Sequence, residues 1–368
     1  MRTVRRLFYA DIVSAVVFVA LAFLALFFFI DYVDELRDVG TRGYSAAHAA
    51  LYCLLLAPAH LYELMPIAVL IGTIYALARL AQTSQYTILR TGGLGPGRAL
   101  WLLTSLALVF GAFTFVVGDY VAPITARIGS QLRAAFSGSL KLGRSGAWIK
   151  ERSSGPEGER SYSINVGSAG AGSVLRQVRI FEFDTDGRLL SRTSAAEAKV
   201  HRDGRWTLSD VVLTRWKEAG VESTARQERL ATLDWKSSLS PKVVAAAVLP
   251  VTTMSTVELW RYIAHLNENE QAAQVQKIQF WKRALYPFAC LVMIALALPF
   301  AYLGIRTGGV SLKVFVGIML GVSFVLLNNV FRHLGLLGNW TPWIVAAAPG
   351  ALYLMASLAA FVWLVRNR

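Results

Sequence analysis

Five histidines, two cysteines and one glycine-rich turn are the residues of this chain whose types could carry chemistry. His48, His60, His201, His265 and His333 are scattered: there is no His-Glu-x-x-His pair for a metal, no Gly-x-Ser-x-Gly elbow for a nucleophile, and no pair of carboxylates at a shared apolar site. The cluster Gly92-Gly-Leu-Gly-Pro-Gly97 lacks the lysine and the preceding strand that a phosphate loop requires, so the chain does not bind ATP by that means. Cys53 and Cys290 lie in apolar stretches far from any second Cys or His at ligand spacing, and read as small buried hydrophobes. An enzyme reading would have to place a carboxylate such as Asp119 in an active site with no base or metal partner visible.

The segment between Arg79 and Arg98 offers contact chemistry instead. Gln82-Thr-Ser-Gln-Tyr-Thr-Ile-Leu-Arg90 is one short helix's worth of residues before a glycine-rich stop. Tyr86, Ile88 and Leu89 would be apolar anchors for a docked partner, or the segment is an ordinary surface connector.

The elements that position these residues follow from composition. The chain has 368 residues, 55% hydrophobic and 16% charged, with a mean hydropathy of +0.47. That is too apolar for an ordinary water-soluble globule. Six apolar runs approach the roughly 20 residues needed to cross a hydrocarbon layer. The expected boundaries are an N-terminal membrane half over 1–122, with spans at about 12–36, 61–80 and 99–121 and a loop at 81–98. A β domain over 123–254 and a connecting amphipathic helix over 255–279 follow, then a C-terminal membrane half over 280–368 with spans at about 280–303, 312–332 and 343–365. The first run is too long for a signal-peptide core and lacks a cleavage site.

The net charge of +14 would suggest nucleic acid in a soluble protein; in a membrane protein it sets sidedness. With both termini cytoplasmic, the inner face carries Arg2, Arg5, Arg6, Arg79, Arg90, Arg98, Arg306, Lys313, Arg366 and Arg368 against the single acid Asp11. The first outer segment carries Asp31, Asp34, Glu35 and Asp38 against Arg37 and Arg42. The region between the third and fourth spans is then on the outer side. Its centre reads as β structure: Val174 to Phe183, the turn Asp186-Gly187, Leu189 to Thr193, then Ala196-Glu-Ala-Lys-Val200 alternating at period two, a turn at Asp203-Gly204, and Trp206 and Leu208 resuming. Ser153 to Arg160 and Gly167 to Ser173 read as Gly/Ser-rich loops. Ser255-Thr-Val-Glu258 is a capping box, and Leu259, Tyr262, Ile263 and Leu266 follow at helical spacing, for a helix on the outer membrane surface or against the β domain.

Phe29-Ile-Asp-Tyr-Val-Asp-Glu-Leu-Arg-Asp-Val-Gly40 with Tyr44, Pro58 to Pro66, Leu70-Ile-Gly72, the Ser84 to Gly93 loop, Gly118-Asp-Tyr-Val-Ala-Pro123, Trp235-Lys with Leu239-Ser-Pro241, and Pro287 to Pro299 occur in an order and spacing that resembles the lipopolysaccharide-export permeases, LptF/LptG. The chain is more similar to the LptG than to the LptF type. The resemblance covers essentially the whole sequence. It implies a multi-pass protein of the inner membrane with six helices and a periplasmic β-jellyroll between the third and fourth. It also implies a paralogous LptF partner, an LptB ATPase dimer that binds the ATP and magnesium, LptC, and an LptA bridge receiving lipopolysaccharide. No catalysis, no cofactor in this chain and no nucleic acid are implied. A membrane-anchored periplasmic receptor or scaffold is the alternative.

In family terms Ser84, Gln85, Tyr86, Ile88, Leu89 and Arg90 form the coupling helix, with Gln85 where an acid is usual. An amide keeps a hydrogen bond but loses its charge-assisted part, of order 1 kcal/mol, which shifts weight to Arg90 and the apolar anchors. Lipopolysaccharide phosphates call for cations at the outer helix ends, and Arg37, Arg42, Arg127 and Arg133 are the candidates, Arg133 foremost; Arg37 and Arg133 match basic positions of the family. Asp31 stands where a basic residue is usual. It pairs with an arginine, of this chain or of the partner subunit, or helps hold a divalent cation bridging to phosphate. The first and fifth spans line the subunit seams in the family. Gly317, Gly321 and Ser323 would suit a subunit contact or gate there.

Overall fold

The computed structural model describes residues 2–83, 96–137, 140–141, 146–155, 158–169, 174–201, 204–219, 222–237, 239, 253–268, 273–302 and 309–366. They form two compact units, one of Met1–Arg37, Ala49–Ala126 and Gln274–Arg368, the other of Asp38–His48 and Arg127–Ala273.

In hydrocarbon every backbone amide must bond within its own segment, so the apolar runs can only be helices. They are α1 (Arg2–Glu35), α2 (Ala46–Gln82), α3 (Pro96–Val116), α4 (Ala122–Ser137), α6 (Gln274–Tyr302), α7 (Val310–Leu337) and α8 (Pro342–Arg366), with a π-helical stretch, Val117–Val121, joining α3 to α4. Six of the resulting helices are long and apolar enough to cross a membrane. They run past the expected boundaries: α2 starts at Ala46 rather than near 61, and residues 123–137, expected in the β domain, are helix α4. The polar and charged ends kept them out of an apolar scan, although helical hydrogen bonding continues through such residues.

The helical core is centred on α2, whose most apolar stretch is 72% buried, against 17% for α1, 22% for α7 and 17% for α8. Glycines set the closest approaches. A Cβ on Gly72 would stand 2.6 Å from the Val16 amide nitrogen, so α1 rests on the α2 backbone there. Gly317 and Gly321 of α7 admit Ile74 and Ile67 of α2, and the Ser323 hydroxyl bonds Tyr353 at 2.5 Å. These small residues, expected at a subunit contact or gate, are thus taken up by packing inside the chain.

The second unit contains one antiparallel sheet of β1 (Leu140–Lys141), β2 (Ala147–Gly155), β3 (Gly158–Ala169), β4 (Val174–Phe183), β5 (Leu189–Val200), β6 (Arg205–Ala219) and β7 (Glu222–Lys236). From β3 to β7 the strand order follows the chain, while β1 and β2 both pair with β3. Two stretches expected as loops are partly strand: Ser153–Gly155 pair with Gly158–Arg160, and Gly167–Ala169 continue β3. Their backbones complete the ladder although their side chains carry no apolar alternation.

Curvature comes from a crease across the sheet. Gln177 and Asp210 have φ of 54° and 52° inside paired strands. The registers place them in one row with Gly167, Ala196 and Ala231, and pairing is interrupted along that row. On either side the inward face changes phase. Val178 and Ile180 are buried on one side and Leu175 on the other; Thr193 and Ala195 against Ala198 and Val200; Val211 and Leu213 against Trp206 and Leu208. This is why Ala196, expected inside by alternation, is exposed. The folded sheet encloses one core around fully buried Trp206, whose ring meets Trp235 edge-on at 5.4 Å.

Helix α5 (Thr256–Glu268) starts at the expected capping box: Ser255 N–H donates to Glu258 Oε2 (2.9 Å) and Glu258 N–H to Ser255 Oγ (3.3 Å). Leu259, Tyr262, Ile263 and Leu266 are buried as the spacing predicts. The helix belongs to the unit that holds the sheet, and it ends at Glu268 rather than continuing to 279; residues from Gln274 onward open α6.

Two substitutions test the crease. Gln177→Gly relieves a left-handed conformation that costs an L-residue about 1–2 kcal/mol, and is expected to leave hydrogen exchange in β4 and β5 unchanged or slower. Trp206→Ala is expected to cost the sheet about 3–5 kcal/mol by the same measurement in the full chain. Faster exchange with Gln177→Gly would refute the crease.

Candidate functional site

At the end of α1, polar side chains interrupt an apolar helix and require partners. Asp31 Oδ2 lies 2.7 Å from His60 Nε2 of α2, and the His60 ring packs on Phe27 at 5.0 Å. Within this chain the residue that meets Asp31 is a histidine. Among the described residues no three His, Cys, Asp or Glu side chains converge as a metal would need. His60 was passed over because a lone histidine has no motif. Its signal was position, a titratable ring in an apolar helix. One turn on, Arg37 pairs with Asp34 at 3.4 Å on a highly exposed surface.

The second unit carries the other cations. Asp38–His48 is a tight link whose left-handed Gly40 (φ 92°) donates its N–H to the Tyr44 carbonyl at 2.8 Å. Buried Tyr44 and His48 both pack on Phe136 of α4, at 5.5 and 4.5 Å. One turn back on α4, Arg133 donates to Asp38 Oδ2 at 3.0 Å, with both side chains about half exposed. Arg42 is exposed in the link itself, with φ of 49°. Arg127, a further turn and a half back, is bonded to Glu258 of α5. Arg37 lies in the helical unit and the other three in the second.

These pairs differ in strength. Burial alone would raise the Glu258 carboxyl, but hydrogen bonds from the Ser255 amide and the Arg127 guanidinium outweigh it and hold the carboxyl below its ordinary value. Arg127 is therefore committed to fixing α5 on α4. An exposed pair such as Arg133–Asp38 is worth about 0–1 kcal/mol, little against a phosphate offering charge-assisted bonds.

A third polar group, around the Asp119 that an enzyme reading would need, sits inside the helical unit. Asp119 in the π-helical stretch and Arg283 of α6 are both buried. Their charges, with that of Glu63, act on the Tyr62 hydroxyl. Gly118 lets the Tyr62 ring lie on the backbone, where a Cβ would come within 2.1 Å of it. Tyr62 packs on Tyr286 at 4.5 Å, and the Tyr286 hydroxyl donates to the Glu63 carbonyl at 2.6 Å, beside the break that Pro66 makes in α2. Through Tyr62, Gly118 and Tyr286 the cluster ties α2, the π-helical stretch and α6 together. Ser84, Gln85, Tyr86, Ile88, Leu89 and Arg90 lie outside the described residues.

Gly118→Ala is expected to destabilise the protein by about 1–3 kcal/mol in thermal unfolding, with part of the loss restored by Tyr62→Ala in the double mutant. A carboxyl held below its unfolded value contributes stability above the ordinary Glu range, lost as pH falls through the folded value. The protection of α5 amides relative to intrinsic exchange should therefore fall below about pH 4.3, and Glu258→Gln should flatten that dependence. A pH-independent α5 in the unaltered protein would contradict the role given to Glu258.

Residues 6–366 match the family described as the lipopolysaccharide export system permease LptF/LptG. Lipopolysaccharide export system permease protein LptG of Escherichia coli strain K12 is 27% identical over 345 residues, covering 92% of this chain and 91% of that protein. The Haemophilus influenzae protein of the same name is 24% identical over 366 residues, covering 97% and 96%. Over nearly its whole length, with six spanning-grade helices and an inserted β unit, the chain belongs to the lipopolysaccharide export system permease family LptF/LptG.

Proposed function

We propose that the chain is one half of an ATP-driven extractor that takes lipopolysaccharide from the outer leaflet of the inner membrane and hands it to a periplasmic jellyroll bridge. The observation that carries this reading is the uneven burial of a family-wide permease architecture. The apolar faces of α1 and α7 are left open, with Phe18 74% exposed on α1 and Phe315 and Leu326 exposed on α7. Helices so apolar need lipid or another subunit against them. A paralogous LptF-type subunit seated along α1 and α7 encloses a cavity whose walls can part sideways to admit lipid.

Sidedness follows from the arginines at the termini and in the short loops, which favour the cytoplasm and leave the β unit periplasmic. Arg133, Arg42 and Arg37 then serve as phosphate contacts at the outer mouth, with Arg133 exchanging Asp38 for cargo. Asp31 serves with His60 to hold α1 on α2 rather than to hold a cation. Ser84, Gln85, Tyr86, Ile88, Leu89 and Arg90 dock an LptB dimer, which supplies the nucleotide chemistry this chain has no motif for. LptC and an LptA bridge complete the route. The chain performs no covalent chemistry of its own.

Affinity purification of the full chain is expected to bring down a soluble ATPase and a second six-span subunit; an isolated chain that still binds periplasmic ligand would favour a receptor instead. Arg133→Gln is expected to lower lipopolysaccharide crosslinking about tenfold, the worth of one charge-assisted bond, without loss of the ATPase. Tyr86→Ala is expected to do the converse, releasing the ATPase while leaving crosslinking to the outer mouth intact.

A further inference from the structure

The helical unit contains a cavity of about 200 Å³ between α6, α7 and α8. Its walls are apolar, formed by Ala289 and Val292 of α6, Phe324 of α7, and Ala347, Gly350 and Ala351 of α8. Phe288 and Leu354 on its rim are exposed, so it opens on the outside of the helical unit. Along α6 the lining runs from Lys282 to Val292, about 15 Å at the helical rise.

Two observations show that this is more than loose packing. The first concerns glycine. At Gly317, Gly321 and Gly335 an added Cβ would meet Ile74, Ile67 and Val345 at 2.7, 2.9 and 2.3 Å, so helix packing uses those glycines. At Gly350 it would meet nothing within 4 Å. No neighbouring helix needs that glycine; its effect is to keep the cavity wide. The second is the chemistry of one end: Lys282 is the first lining residue along α6, and Asn328 the last along α7, the helix that returns after it. Among the described residues Lys282 makes no hydrogen bond or ion pair. The charges that act on it are Glu63, Arg332 and Arg283, two cations and one acid. Asn328 commits one N–H to the Phe324 carbonyl at 2.8 Å and keeps its side-chain oxygen and second N–H.

An apolar slot about 15 Å long, open to the hydrocarbon layer and ending in an ammonium and an amide, fits one lipid: an acyl chain below, an anionic phosphate above. Empty apolar volume is destabilising, and the layer itself supplies the filler. We propose that this cleft binds a single acyl chain of an anionic glycerophospholipid of the surrounding bilayer, with Lys282 and Asn328 on its phosphate. A volume of about 200 Å³ accommodates part of one chain and excludes the clustered chains of a lipopolysaccharide anchor, which separates this site from the path of the cargo. The bound chain wedges α7 and α8 against α6. Only the leaflet that supplies the lipid rests on the sidedness proposed above.

The test uses the full chain in detergent, titrated with phosphatidylglycerol or phosphatidylcholine and read by native mass spectrometry. The unaltered protein is expected to retain one phosphatidylglycerol at a concentration at least tenfold below that needed for phosphatidylcholine. Gly350→Leu projects into the cleft from a position where a Cβ meets nothing within 4 Å, and is expected to raise the phosphatidylglycerol concentration at least tenfold while the lipid-free protein melts no lower. Ala351→Leu, from the same wall, stands in if that variant does not fold. Lys282→Gln is expected to erase the preference between headgroups but keep one bound lipid. The proposal is overturned if the unaltered protein shows no saturable lipid or no headgroup preference, if the leucine variants bind as before, or if purified lipopolysaccharide displaces the phospholipid at lower concentration than phosphatidylglycerol binds.

Discussion

Within a hydrocarbon layer no water is available to satisfy a polar group, so every amide, carbonyl and charged side chain must find its partner inside the protein. Most of the helical unit follows from that constraint. It makes the apolar runs helices, and it explains how α2, α6 and α8 carry Pro58, Pro66, Pro287, Pro299 and Pro349 without dissolving. Tyr286 donates to a carbonyl beside the Pro66 break, and the carbonyl of Pro287 is pressed against Gly111, where a Cβ would stand 2.9 Å away. The same rule pairs Asp31 with His60 and Tyr9 with Ser105, each across two helices. Thr114 reaches both ways, donating to the Phe110 carbonyl of its own helix and meeting Cys290 Sγ of α6 at 3.6 Å.

The β unit solves a different problem. A meander of sequential hairpins has two faces and only one chain to cover them. Reversing the inward face along one row, at Gln177, Ala196 and Asp210, lets the two halves of each strand turn their apolar residues toward a common interior. Trp206 reaches full burial although it lies only one strand from the sheet edge.

The architecture was legible because its signals are long and redundant. Apolar runs near twenty residues and the Asp186-Gly187 turn each survive a local error. The capping box was legible because both hydrogen bonds lie within four residues. What stayed hidden depends on pairs distant in sequence. Nothing near Asp31 announces His60, and nothing near Arg127 announces Glu258, 131 positions away. The crease was hidden for another reason. A left-handed residue inside a strand normally announces itself as glycine, and here the conformation is adopted by Gln177 and Asp210. Helix ends were misplaced by the rule that found their centres, since an apolar scan stops at the first charged turn while hydrogen bonding does not.

The strengths of the ion pairs sort the arginines in a way their positions do not. A pair that fixes architecture should be expensive to break, and Arg127–Glu258 qualifies: the carboxyl also accepts the Ser255 amide, so separating it exposes a helix start as well as a charge. A contact that receives and releases cargo in every cycle must be inexpensive to open, because whatever holds it shut subtracts from the affinity for the incoming phosphate. Arg133–Asp38 meets that condition. It is half exposed and worth about 0–1 kcal/mol, while the link that carries Asp38 is held independently by Tyr44 and His48 on Phe136. Asp38 can therefore give up the guanidinium without releasing the link.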